Sequence, residues 1–427
     1  MKAVSKTSTY AGVLVLALGW ASAASAAQAV RVGDFLASLG VNTHLNYTDG
    51  AYADYARVVS DLDYLGIHRL RDATPDPNGG IPYRNDLTAL YAAAAAGNRF
   101  DFIVNPTLPI GVTLDQISIL ERVRPGSVMA VEGPNETNNN PVTYHGLHGQ
   151  AAAVAFQRDL YHAVHSFPVL RHAAVYYYTG LDTAHGLAGL ANFANVHPYS
   201  YQGQQPWNRI AGEFAKQFPI ATPFPKVITE AGYFDVPRKD SGVDDATQAK
   251  NTLNLFLDAF VQGSSETFIY QLLSAYPNEG IDTQSGLFRM DHSPKPVAVA
   301  IHNLTTILAD HGKRGFTPAS LDYSVDFPSG AQSHSLLLEK SNGVFDLILW
   351  SEPDDWNNLT HQEIINPPVP TTVSLAGGNG NITVYDPTMG IRPLQHAHNA
   401  REITVNLADH PVILEITPAE PTKLSER

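Results

Sequence analysis

Eight short apolar runs, most of them closing on polar residues and alternating with longer segments of helical period, govern what the first three-quarters of this chain can become. The runs cover residues 39–45, 67–72, 100–105, 128–132, 173–178, 193–197, 226–230 and 266–272. They are apolar nearly throughout rather than alternating, as strands buried on both faces of a parallel sheet must be. Helical periodicity separates them over residues 53–65, 87–97, 114–123, 150–165 and 247–261, and a last helix over 296–311 closes the series. Repeated strand–helix units make a parallel sheet covered by helices, and eight of them match the rhythm of a (β/α)8 TIM barrel. In that architecture reactive side chains collect at the C-terminal ends of the strands.

The rhythm changes near residue 315, where short alternating strands and turn residues replace helical periodicity. Strands are expected over 335–339, 344–350, 371–375, 382–385, 403–407 and 412–416, with Asn342-Gly343 a hairpin turn and 377–380 a glycine-rich one. The expected organisation is a signal peptide over 1–27, a barrel over 28–314 and a C-terminal all-β sandwich over 315–427. The signal peptide is read from Lys2 and Lys6, the apolar run 10–20 and the small residues 21–27. It implies export, in a bacterial setting to the periplasm or medium. With no Cys, disulfides, thiol nucleophiles and thiolate metal sites are excluded. A net charge of -14, from 41 acidic and 27 basic residues without a basic stripe, argues against nucleic acid and anionic membranes as partners.

Two of the strand ends carry glutamates. The fourth run ends Val131-Glu132-Gly133-Pro134-Asn135-Glu136 and the seventh Val227-Ile228-Thr229-Glu230-Ala231-Gly232. Paired carboxylates facing one site are the minimum apparatus for cleaving a glycosidic bond. One protonates the leaving oxygen while the other attacks the anomeric carbon, the two lying about 5–5.5 Å apart in retaining enzymes. On this reading Glu136 is the acid/base, with a pKa its neighbours must raise, and Glu230 is the ionised nucleophile. Asn135 is placed to hold a sugar hydroxyl. Glu132, earlier in the fourth strand, is read as structural.

Gly133-Pro134-Asn135-Glu136 and Thr229-Glu230, on strands four and seven, resemble the signature of clan A glycoside hydrolases. The barrel followed by a sandwich resembles family 39 and related exopolysaccharide-degrading enzymes most closely. The resemblance implies the acid/base role for Glu136 and the nucleophile role for Glu230. Arg71, in Arg69-Leu70-Arg71-Asp72, resembles the clan's strand-two arginine that pairs with the nucleophile, and Arg69 is its alternative. His197-Pro198-Tyr199 resembles the clan's strand-six His-X-Tyr, with Tyr199 donating to Glu230 and His197 on the floor. His44, Asn46 and Asn105 are further candidates for sugar hydroxyls. Strand eight departs from the clan's usual tryptophan, reading Phe268-Ile269-Tyr270-Gln271-Leu272, so Tyr270 or Gln271 stands as its substitute. Trp207 and Tyr201, after strand six, are candidates to stack on sugar faces.

No cofactor is expected, since phosphate-loop and dinucleotide fingerprints are absent, and no metal, since His396 and His398 lack a carboxylate at ligand spacing. The expectation is a secreted retaining glycosidase acting on a carbohydrate. Its alternatives are a carbohydrate-binding or matrix protein on the same barrel, and a transglycosylase with the same residues.

Overall fold

The computed structural model describes residues 26–75, 87–180, 186–221, 224–237, 241–278, 280–312 and 315–419, so all but the last two residues of the expected signal peptide lie outside the described residues. Eight strands form one parallel sheet: β1 (Leu39–Asn42), β2 (Arg69–Ala73), β3 (Arg99–Ile103), β4 (Val128–Glu132), β5 (Ala174–Tyr176), β6 (Ala194–Val196), β7 (Lys226–Ala231) and β8 (Ser264–Ile269). Consecutive strands pair in parallel, and β8 returns to β1 through Thr267 opposite Leu39. A parallel bridge between Tyr176 and Phe193 joins β5 to the entry of β6, so the sheet closes into a barrel. Every residue of β1 and β4 is buried, as the unbroken apolar runs require.

Among the described residues the longer helices around the barrel are α1 (Val32–Ser38), α2 (Tyr55–Leu65), α3 (Leu87–Ala95), α4 (Ile110–Val123), α5 (Gln150–Ser166), α6 (Pro206–Ala221), α7 (Asp245–Val261) and α8 (Pro296–Ile307). Local chemistry sets their ends. The Asp54 carboxylate accepts from Arg57 N at 3.2 Å to start α2, and Gly66, at φ 67°, closes it. Asp244 caps α7 through Thr247 N at 2.8 Å. Among the described residues no helix is long and apolar enough to cross a membrane.

The second domain packs two sheets face to face. One holds, in spatial order, Val30–Arg31, β10 (Gln332–Glu339), β11 (Phe345–Glu352), β16 (Val412–Pro418), β13 (Gly380–Tyr385) and β14 (Gln395–Ala400). The other holds β9 (Tyr323–Asp326), β12 (Val369–Leu375) and β15 (Glu402–Leu407). Leu347, Val373, Ile382, Val405 and Leu414 fill the space between them. Residues 28–31, expected to open the barrel, and Ala27, expected to end the signal peptide, pair with this domain instead. Ala27–Gln28 pairs with Ser320–Leu321, Val30 lies opposite Leu338, and Ala29 is buried in the sandwich core. Strands of two residues are too short to show any periodicity in sequence.

Helix α7 joins the domains. Every residue from Thr247 to Ala259 is buried. The polar face is covered by the sandwich and its loops. Lys250 donates to Glu363 and Asp409 at 2.8 Å each, Asn254 to the Asp409 carbonyl at 3.1 Å and Asn251 to Asp355 at 3.3 Å. Asp409 also meets His410 Nδ1 at 2.9 Å, and His410 Nε2 lies 3.0 Å from Asp386. Burial opposes charge on His410, but Asp386 and Asp409 outweigh it and hold its pKa up to about 9. Because the folded value lies above the usual 6.5, the stabilisation is complete below pH 6.5 and disappears as pH rises through 9. The melting temperature should fall across that window, and His410→Gln should start lower and lose the slope. Parallel profiles for the two proteins would remove His410 from this role.

Candidate active site

The centre of the barrel mouth is organised by one cation. Arg71, on β2, is 1 % exposed, and its guanidinium forks onto Glu132 of β4 with Nε to Oε2 and Nη2 to Oε1 both at 2.8 Å. Its Nη1 donates to Glu230 Oε1 on β7 and, at 2.9 Å, to Asn42 Oδ1 on β1, while Nη2 also reaches Asn135 Oδ1 at 2.8 Å. Arg71 therefore touches carboxylates and amides and is enclosed by them. It pairs with Glu230 as expected, but it positions the site and does not line it for a sugar. Arg69, two residues earlier, bonds Glu266 near the start of β8, so the two arginines serve opposite ends of the barrel. Glu132 is wholly buried, consistent with its reading as structural. Asp101 of β3 is buried beside it, and burial together with the Glu132 carboxylate pushes its pKa well up. The positive charge of Arg71 stands between Glu132 and Glu230.

Glu230 sits at the end of β7, 7 % exposed. Tyr199 donates its hydroxyl to Oε2 at 2.8 Å. Burial works to raise its pKa, but His197, Arg71 and the Tyr199 bond outweigh it and hold the carboxyl below its ordinary value. It is ionised at neutral pH.

Glu136 is held by a different device. It lies in the loop after β4 at φ 44°, a backbone region rarely adopted by a glutamate, and the loop after β5 pins it there. Glu136 N donates to Thr179 Oγ1 at 2.9 Å and Thr137 N to the Thr179 carbonyl at 2.8 Å. The approach requires glycine at 133, since a Cβ there would stand 1.9 Å from Gln157 Oε1. The carboxylate accepts from His197 Nδ1 at 3.1 Å and from Asn139 Nδ2 at 3.0 Å. The ionised Glu136 is an acceptor only, which makes Nδ1 the protonated ring nitrogen. These bonds, that from His197 foremost, lower the Glu136 pKa. The expectation of a raised value is thus reversed in the free site, because both donors stabilise the ionised form more than partial burial opposes it.

His197 ties the two carboxylates together, its Nδ1 lying 3.1 Å from Glu136 and 3.7 Å from Glu230. Its Nε2 is 3.0 Å from Thr229 Oγ1. One ligand atom each from Glu136, His197 and Glu230 lies within 4.8 Å of the others, a spacing that could hold a cation and that equally suits two carboxylates flanking a bond. A cavity of about 200 Å³ opens beside them, lined by Glu136, Asn139, Thr179, His197, Tyr199 and Tyr201, with Arg209 and Lys216 farther out.

The remaining candidates divide. His44 lies against Tyr47, ring centroids 4.5 Å apart, with Tyr52 and Tyr270 edge-on. Burial lowers its pKa to about 4, so it is neutral, and its Nε2 is buried without a hydrogen-bond partner. Tyr270 therefore joins the site through His44, while Gln271 is fully buried and takes no place on the surface. Asn46 is half-buried, and Asn105 accepts from Thr107 N at 3.0 Å and closes its own turn. Tyr201 is 44 % exposed on the cavity, but Trp207 is not there. Its ring stacks on His334 of the sandwich at 3.8 Å, because it stands in the first turn of α6, which faces the second domain. Asn139 and Thr179 went unread in sequence. Both follow strand ends, where the barrel rule alone would have pointed to them.

No protein-family model matches the chain, and neither does any curated protein. Solved structures do match in fold. A monomeric beta-xylosidase from Caulobacter crescentus CB15 is 14% identical at a TM-score of 0.58, covering 92% of this chain and 98% of its own. A GH39 beta-xylosidase from Caulobacter crescentus gives 14% and 0.53 over 92% and 98%. A 4-O-alpha-L-rhamnosyl-beta-D-glucuronidase from Fusarium oxysporum 12S gives 13% and 0.57 over 92% and 97%. The barrel with its appended sandwich is the fold of these glycosidases over nearly its whole length.

If Arg71 serves as the shared counter-ion, Arg71→Met leaves two buried carboxylates unpaired. It should lower stability by about 3–5 kcal/mol in chemical denaturation. Adding Glu132→Gln should recover part of that loss. A double variant no more stable than Arg71→Met would contradict the charge accounting.

Proposed function

We propose that this protein is a retaining glycoside hydrolase, with Glu230 the nucleophile and Glu136 the acid/base. The observation that carries the reading is the meeting of these two carboxylates, one in the loop after β4 and one on β7, with oxygens within 4.8 Å at the C-terminal mouth of the barrel, beside a cavity that Glu136 lines. Inverting enzymes hold their carboxyl groups about 6.5–9.5 Å apart, to admit a water between acid and sugar. Glu230, kept ionised and oriented by Arg71 and Tyr199, attacks the anomeric carbon. The bond to the leaving oxygen breaks as that oxygen takes the Glu136 proton. In the second step Glu136 removes a proton from water, the water oxygen bonds the anomeric carbon, and Glu230 is released. Asn135 has its Oδ1 committed to Arg71, so its Nδ2 is the group left to meet a sugar hydroxyl.

The substrate is a carbohydrate chain or glycoside. Export through the N-terminal signal fits an enzyme meeting polysaccharide outside the cytoplasm. The end-to-end likeness of fold to a GH39 beta-xylosidase, with the Asn135-Glu136 and Glu230 motifs, supports a place near family 39. Hydrolysis is favoured over binding alone because Arg71, Tyr199 and His197 are all engaged in setting the charge of the two glutamates, a provision that a binding surface does not need.

Two predictions test the assignment. Glu230→Gln should abolish turnover with little change in melting temperature, and Glu136→Ala should regain rate with azide on an activated aryl glycoside, giving a glycosyl azide of retained configuration. A fully active Glu230→Gln would end the nucleophile assignment. The second concerns pH. Glu136 must be protonated to act as acid, and its pKa in the free site lies below 4.5, so kcat/KM on poor leaving groups should fall as pH rises past that value. His197→Ala, by removing the principal donor, should move this limb to higher pH. An unshifted limb would show that His197 does not set it.

A further inference from the structure

A second cluster of ligating side chains lies at the seam between the domains. Asp258 comes from α7 of the barrel, His334 from β10 and Glu352 from β11 of the sandwich, and one ligand atom of each lies within 4.8 Å of the others. Asp258 is 0 % exposed and Glu352 8 %. Trp350 Nε1 donates to Asp258 Oδ1 at 2.8 Å. The other carboxylate oxygen of Asp258, both oxygens of Glu352 and Nε2 of His334 are buried without a hydrogen bond of ordinary geometry; burial raises the pKa of both carboxyls, which interact with each other, and Glu352 also meets the Trp207 backbone.

That is an expensive arrangement for a bare protein. Buried carboxylates are ordinarily paired or bonded, and leaving such a group unsatisfied costs several kcal/mol. Among the described residues no Lys or Arg forms an ion pair with either carboxylate; the nearby Lys250 is engaged by Glu363 and Asp409. Trp207 stacks on His334 at 3.8 Å and Trp350 lies 5.4 Å from it, so the surroundings are aromatic and low in dielectric. A divalent ion answers both deficits at once, since it neutralises two carboxylates and occupies their free lone pairs. The donor set selects its kind. One imidazole and two carboxylates suit zinc-type ions, whereas calcium and magnesium favour six or more oxygens. Burial also keeps His334 neutral at physiological pH, which is the ligating form.

We infer that Asp258, His334 and Glu352 hold one divalent ion of zinc type that links helix α7 to the sandwich. The site shares no residue with the proposed catalytic pair. Its role is to lock the domains together.

The full chain, stripped with chelator and dialysed, is titrated with Zn²⁺ by calorimetry, and retained metal is counted by elemental analysis. The expected result is one equivalent bound, with a rise in melting temperature that chelator reverses. His334→Gln and Glu352→Gln should each weaken binding by at least about tenfold, while Glu230→Gln binds as the parent does. Co²⁺ in place of zinc should give visible absorption bands that His334→Gln changes. Absence of uptake in the parent protein overturns the inference, whether or not the variants fold. So does binding that is lost in Glu230→Gln but kept in His334→Gln. A stripped Asp258→Asn that melts higher than the parent, with no metal taken up by either, assigns the cluster to a shared proton and overturns it equally.

Discussion

Everything at the barrel mouth depends on a single guanidinium balancing more than one buried carboxylate. Arg71 bonds Glu132 through both arms of its fork and still reaches Glu230, Asn42 and Asn135. Four strands are joined through that one side chain. Glu132 orients the cation, and the cation then fixes both the charge and the direction of Glu230. Because the fork is planar and always charged, lysine could not reproduce this set of contacts. Burial and the neighbouring Glu132 push the Asp101 pKa well up, which disfavours a third negative charge beside the pair.

Glu136 is governed by other parts of the fold. Its position comes from two strand-end loops pressed together at Gly133 and Thr179, and its charge from His197 and Asn139. The two glutamates thus share His197 but little else. The same nitrogen approaches both, so a change in one carboxylate is felt by the other. A sugar that displaces the His197 or Asn139 bond would raise the Glu136 pKa, supplying in the complex what the free site lacks. The sandwich acts at a distance from this chemistry by burying the polar face of α7, the helix that follows the strand carrying Glu230.

Much of this was legible in the chain. An apolar run ending in a glutamate announces a buried parallel strand delivering a carboxylate, and counting eight apolar runs put Glu136 just after β4 and Glu230 on β7. The partners of Arg71 and Tyr199 followed from resemblance and were met in the structure. What was not legible depended on who lies opposite whom. The stripe Lys250, Asn254 and Asp258 has the period of a solvent face, and only the packed sandwich shows it to be an interface. Trp207 in a loop reads as a sugar platform, and only its stacking on His334 shows it to be a domain contact. The Glu136 pKa turned on His197, sixty-one residues away, whose side-chain direction no local pattern encodes.

The account rests on Glu230 being the atom source that bonds the sugar. The most direct measurement is intact-protein mass spectrometry with peptide mapping after exposure to a panel of activated 2-deoxy-2-fluoro glycosides, which form the covalent intermediate and release it slowly. The account predicts one glycosyl adduct per chain, on the peptide carrying Glu230, and none on the Glu230→Gln variant. An adduct on Glu136 would contradict it, as would turnover of the corresponding unfluorinated glycoside with inversion and no adduct.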